Sequence, residues 1–129
     1  MRLVVRVFVI LALVLTLVIS SALAVSADVT SYAWASYWPP NVEGGHVSYS
    51  GDGEHDYFRV DGAIYATWDG EIYYFQTANY AEDYNQDYLS CYTYCTFDPE
   101  AIQYVAITYS YAQDGNEDPY TDNAYGYLY

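Results

Sequence analysis

Beyond residue 27 the chain alternates rather than coils. In "AIQYVAITYSY", Ala101, Gln103, Val105, Ile107 and Tyr109 fall on one side of an extended backbone, and Ile102, Tyr104, Ala106, Thr108 and Ser110 on the other. Neither side is strongly charged, so this run predicts a central strand. The stretch "YFRVDGAIYATWDGEIYYFQTANY", residues 57 to 80, alternates in the same way. Asp61-Gly62 and Asp69-Gly70 within it are two-residue hairpin signals, because both central positions of a type I′ turn need positive φ. They predict a meander of strands at 57–60, 63–68 and 71–80. Further strands are expected at 29–38, 45–50, 101–111 and 123–129. Pro39-Pro40 stops the first, Gly44-Gly45 precedes the second, and Asp98-Pro99 turns the chain before the long run. About seven short strands punctuated every eight to twelve residues predict an all-β domain, an antiparallel sandwich or small barrel.

The first 27 residues break this pattern. Arg2 and Arg6 precede an apolar run from Val7 to Ile19 that only Thr16 interrupts, and Ser20, Ser21, Ala22 and Ala24 follow. That is the layout of a secretory signal peptide. The run from Leu3 to Ala24 is also nearly long enough for a membrane anchor. Either way residues 28–129 form a single domain facing outward, secreted or at the cell surface.

Charge sharpens the expected partners. All 17 acidic residues follow the leader, where Arg59 is the only Lys or Arg, a formal balance of −16 with both histidines neutral. Such a surface repels nucleic acid and anionic lipid. It calls for cations, salt or a positively charged partner to relieve self-repulsion. Strong net charge usually reads as disorder, but 19 Tyr, 3 Trp and 4 Phe argue for a packed domain.

An acidic motif returns every 31 residues: "YSGDGEHDY" at 49–57, "YAEDYNQDY" at 80–88 and "YAQDGNEDP" at 111–119. Asp83, Asn85 and Asp87 match the first three ligand positions of a calcium loop, as do Asp114, Asn116 and Asp118. The glycine at position six and the glutamate at position twelve are missing from both, so neither is an EF-hand. A looser all-oxygen Ca²⁺ site is one expectation, best in the last copy, where Asp122 adds a ligand. The alternative is three solvated turns in which Asp and Asn serve local backbone donors.

"CYTYC" places Cys91 and Cys95 four residues apart. In an exported chain a disulfide is the simplest expectation. A straight strand would hold the two Cα atoms roughly 13 Å apart, beyond the bridging limit of about 7 Å. The pairing therefore requires a tight loop at 91–95, or partners in other chains.

No catalytic signature is present: no G-x-S-x-G, no H-E-x-x-H and no cysteine–histidine pattern. The tyrosines exceed what a domain of this size can bury, so many rings must reach the surface, as in interfaces and sugar platforms. The expected function is an extracellular structural or surface component, not an enzyme, that joins itself or another extracellular protein through aromatic strands. Tyr125, Tyr127 and Tyr129 at the terminus are candidates for strand addition. The competing expectation is a carbohydrate-binding module with Trp34, Trp38 and Trp68 as its stacking platform. A secreted toxin or bacteriocin-like effector is a weaker third.

Overall fold

The computed structural model describes residues 29–129, and the expected signal peptide lies outside them. Seven strands make up the domain: β1 (Val29–Trp38), β2 (Asn41–Ser50), β3 (His55–Thr67), β4 (Tyr74–Gln86), β5 (Tyr88–Thr96), β6 (Gln103–Gln113) and β7 (Tyr120–Leu128). They form two antiparallel sheets, β1-β2-β5 and β4-β3-β6-β7. Inward residues of one sheet face those of the other, so the architecture is a sandwich and not a closed barrel.

The expected strand number is right, but two errors offset each other. Asp61-Gly62 is not a turn: β3 runs unbroken for 13 residues, with Gly62 opposite Asn79 on one side and Thr108 on the other. A Cβ at Gly62 would collide with the His46 ring, its Nδ1 only 2.7 Å away. The glycine makes room for an imidazole. Gly44-Gly45 likewise lies inside β2, because a Cβ at Gly44 would meet the Thr93 hydroxyl and His46 Nε2, the latter at 2.9 Å. Asp69-Gly70 does mark the β3–β4 connection, but of the pair only Gly70 takes positive φ (78°). The Asp69 carboxylate accepts from the Glu71 and Ile72 amides at 2.8 and 2.9 Å, which holds it below the usual carboxylate range.

The missed strand is β5, which contains "CYTYC". The expected intrachain disulfide is overturned here. Cys91 and Cys95 both point inward from a straight strand as free thiols, and no tight loop brings them together. Burial pushes the Cys91 thiol up to about 11.

The interior is divided. At one end Val42, Ile64, Ala66 and Tyr104 form an apolar cluster with Phe97, Ala101 and Leu128 against it; at the other, Val29, Phe58 and Ala112 pack with Leu89 and Tyr120. A polar belt crosses between them. His46, completely buried, bonds Thr108 through Nδ1 at 2.9 Å and Thr93 through Nε2 at 2.8 Å. Thr108 in turn donates to the Tyr32 carbonyl at 2.9 Å. One proton assignment satisfies all three groups. Nδ1–H donates to Thr108, and the Thr93 hydroxyl donates to Nε2. Burial drives the His46 pKa down to about 4, so the ring is neutral. Ser31 and Ser110 complete the belt, their hydroxyl oxygens 2.6 Å apart across the sheets.

Both open seams of the sandwich are stitched by side chains. Where β1 lies along β7, the Ser31 amide donates to Asp122 at 2.7 Å, and Gly126 packs directly on the β1 backbone at Ala33 and Trp34. On the opposite side Asn79 of β4 donates to the Tyr92 carbonyl of β5 at 2.9 Å.

Candidate functional site

Two of the three acidic motifs meet. The turn after β2 and the turn after β6 close around His55, whose side chain is 1% exposed. Its Nδ1 lies 2.8 Å from an Asp114 oxygen, and its Nε2 lies 2.9 Å from the Ser50 hydroxyl and 3.3 Å from Asp52. Asp52 and Asp114 hold the same place in the first and third copies of the motif. Asp114 also accepts from the Asp56 amide at 2.9 Å, and Asp56 accepts from the Gly115 amide at 2.8 Å. The Asp56 amide is the main cause that holds the Asp114 carboxyl below its ordinary range, with His55 adding to it. Phe58 stacks on the imidazole at 5.8 Å, and Tyr120 flanks it at 5.5 Å. The carboxylates thus close on a side chain of the protein.

Ser50, His55 and Asp114 have the hydrogen-bond order of a nucleophile, base and carboxylate. Ser50 is only 3% exposed, however, and its hydroxyl donates to Asp52 in a very short contact. It is not presented to a substrate.

The remaining expected cation ligands are spread out. Asn116 and Asp118 lie in the β6–β7 turn beyond Asp114, whereas Asp122 sits on β7 and is occupied by the Ser31 amide. In the middle copy Asp83 accepts from the Tyr84 amide at 2.8 Å, Asn85 takes a left-handed backbone at φ 54°, and Asp87 forms the corner between sheets, where its carbonyl accepts from the Ser50 amide. Among the described residues no three His, Cys, Asp or Glu side chains converge in a group that could hold a metal ion.

A grooved surface lies on the outer face of β4-β3-β6-β7. Residues aligned across the strands form rows there. Ala78, Ala63, Ile107 and Tyr125 make one row. The next row to one side is Tyr80, Asp61, Tyr109 and Asn123, and to the other side Phe75, Tyr65, Val105 and Tyr127. Small residues at 78 and 63 form a floor between aromatic walls. Two open grooves of about 350 Å³ each adjoin there, sharing Tyr65 and Ile107. One runs along the Ala78–Ala63 floor beneath Tyr80 and Tyr109. The other is bounded by Tyr73, Tyr125 and Tyr127.

Local contacts fix the walls. Tyr65 meets Phe75 edge-on at 5.7 Å, and the Tyr73 hydroxyl donates to Gln103 at 2.5 Å. At one end Arg59 lies 4.3 Å over the Tyr80 ring while two of its three guanidinium nitrogens, Nε and Nη2, bond Asp61 at 2.8 Å. That pairing raises the Arg59 pKa and occupies the only cationic side chain among the described Lys and Arg positions.

No family model, curated protein or solved structure matches the chain.

Of the expected binding residues, Tyr125 and Tyr127 line the second groove, and Tyr129 stacks on Tyr127 at 6.4 Å, itself 91% exposed. The three tryptophans share no platform. Trp34 and Trp38 point outward from β1, on the opposite sheet, while Trp68 follows β3 and donates to Asp98 at 2.9 Å. Sequence reasoning missed Tyr65, Phe75, Tyr80 and Tyr109. Odd-numbered positions of 57–65 and 103–111 would have revealed two of them, had residues 55–67 been read as one strand.

Proposed function

We propose that this protein is an extracellular binding module that takes a neutral polysaccharide chain along the aromatic groove of its four-stranded sheet. The observation that supports this reading is the small-residue floor of Ala78 and Ala63 walled by Tyr65, Phe75, Tyr80 and Tyr109. Sugar rings present apolar C–H faces to aromatic rings and hydroxyls to polar rims, and Asp61 with the tyrosine hydroxyls supplies such a rim. The ligand is not anionic, because −16 on the outward-facing domain repels anionic polymers and Arg59 is already paired.

Strand addition between copies has less geometric support. β1 lies along the free side of β7, and Asn79 bridges the β4 and β5 edges, so each edge carries a side-chain or strand cover. Association of copies remains a reading for the aromatic faces, and it predicts dimers that sugar dissolves.

The experiment is affinity electrophoresis in gels containing soluble xylan or hydroxyethylcellulose. Retardation of the native protein is expected, and Tyr65→Ala and Tyr109→Ala should each lower affinity roughly five- to tenfold, in line with about 1 kcal/mol per stacked ring. Unretarded migration in every neutral glycan, or retardation untouched by both substitutions, would sink the reading.

A further inference from the structure

The opposite face of the molecule carries a second arrangement that the groove does not use. Trp34, Gly45 and Tyr92 stand in one row across β1, β2 and β5. A Cβ at Gly45 would fall into the Trp34 indole, close to Cε2, Cζ2 and Cδ2 together. Several ring atoms near one point mean that the indole lies face-down on the glycine backbone. Its other face is turned to solvent, and the side chain is 39% exposed. Tyr92 meets it edge-on at 6.2 Å and an interplanar angle of 74°, which fixes the ring's rotation. A ring laid flat on a sheet and held at its edge is a preformed stacking plate.

Charge identifies the occupant. Among the outward residues of these three strands Glu43 is the only carboxylate; it stands opposite Tyr94, whose phenol is raised in pKa by burial and by that neighbouring charge. The remaining positions are aromatic, hydroxyl-bearing or small. In a molecule this acidic, a nearly uncharged strip offers nothing to a basic partner and no cation to an anionic one. It suits uncharged rings that carry hydroxyls.

From this we infer that the Trp34 face is a second, independent sugar-stacking site for the same class of neutral glycan. The inference rests on the functional reading above for the ligand class but not for the residues. The two faces lie on opposite sides of the sandwich, so one polymer chain cannot lie on both. A protein with both sites links two chains.

Calorimetry with xylohexaose and cellohexaose, together with viscosity of soluble xylan, tests this. Two equivalents of oligosaccharide are expected per protein, and the native protein thickens xylan. Trp34→Ala should remove one equivalent and abolish thickening. Gly45→Ala keeps the indole but lifts it off the sheet, and it should weaken the same equivalent at least tenfold. Trp34→Phe should retain part of it. Near-ultraviolet circular dichroism establishes that each variant is folded. The other equivalent should vanish in Tyr65→Ala/Tyr109→Ala.

A single equivalent that depends on Tyr65 and Tyr109 and ignores Trp34 and Gly45 would overturn the second site while leaving the groove intact. A single equivalent that depends on Trp34 and Gly45 alone would retain the site proposed here and reject the groove. Absence of any binding would overturn both.

Discussion

His46 shows how one buried side chain sets both a stability and a sequence pattern. Its ring is neutral because burial disfavours the charge, with the pKa near 4 against an ordinary 6.5. The sign follows from linkage. Between those values the unfolded chain binds a proton that the folded chain refuses, so stability is complete above about 6.5 and falls on acidification toward 4. The loss is on the order of 3 kcal/mol. Urea midpoints from pH 7 to pH 4 should decline through this window, and NMR should find the His46 ring neutral down to about pH 4. A ring that titrates near 6.5 in the folded protein would contradict the account. Gly62 belongs to the same pair. Its substitution by Ala forces a methyl against the imidazole and should destabilise by about 2 kcal/mol or more, measured by denaturant melts. A true hairpin-turn glycine and a glycine under a ring give the same two letters, Asp-Gly. Only the partner at position 46, across the sandwich, distinguishes them, and that partner is not local in sequence.

At the level of strands and turns, alternation is enough to predict an all-β domain, because half-buried strands require period two, but it leaves sandwich and small barrel open. It was not enough for β5, where cysteines at i and i+4 suggested a cross-link. There both cysteines share the inward side of a strand, and their thiols are merely small apolar fillers. The 31-residue echo carried real information of a different kind. Asp52 and Asp114 do end their strands alike, and they come together around His55, which the motif itself contains. The turn after β2 and the turn after β6 are thereby latched. Asp114→Ala should unlatch them, leaving both His55 Nδ1 and the Asp56 amide without their acceptor, at a cost of about 2 kcal/mol. Hydrogen exchange should report the loss first at the amides of Asp56 and Gly115. Asp83→Ala, whose exposed carboxylate near the end of β4 serves only its neighbours Tyr84 and Gln86, should change stability by less than about 0.5 kcal/mol. Equal costs for the two substitutions would mean that the latch is not a distinct element.

For the molecule as a whole, charge is the term that local geometry leaves uncompensated. The domain carries 17 carboxylates against Arg59, which is taken by Asp61 and Glu82 at 2.8 and 3.4 Å. Asp56, Asp69 and Asp114 are spent on amides and on His55, and among the described residues no three such groups gather to hold an ion. Repulsion here is therefore diffuse, and diffuse repulsion is relieved by any counter-ion in proportion to screening. The Debye length falls from about 30 Å at 0.01 M salt to about 3 Å at 1 M. The thermal midpoint should accordingly climb steadily with sodium chloride. Calcium chloride adjusted to the same ionic strength should give the same midpoint within error, with or without chelator. A calcium-specific rise at micromolar to millimolar concentration would show instead that Asp114, Asn116 and Asp118 rearrange into a cage. It would also place the origin of the acidic repeat in metal binding and not in the latch around His55. Because the sugar binding proposed for either face would use uncharged rings, glycan affinity should change little over the same salt series. That insensitivity separates stacking on the tyrosine and tryptophan faces from any partner drawn to the protein by charge.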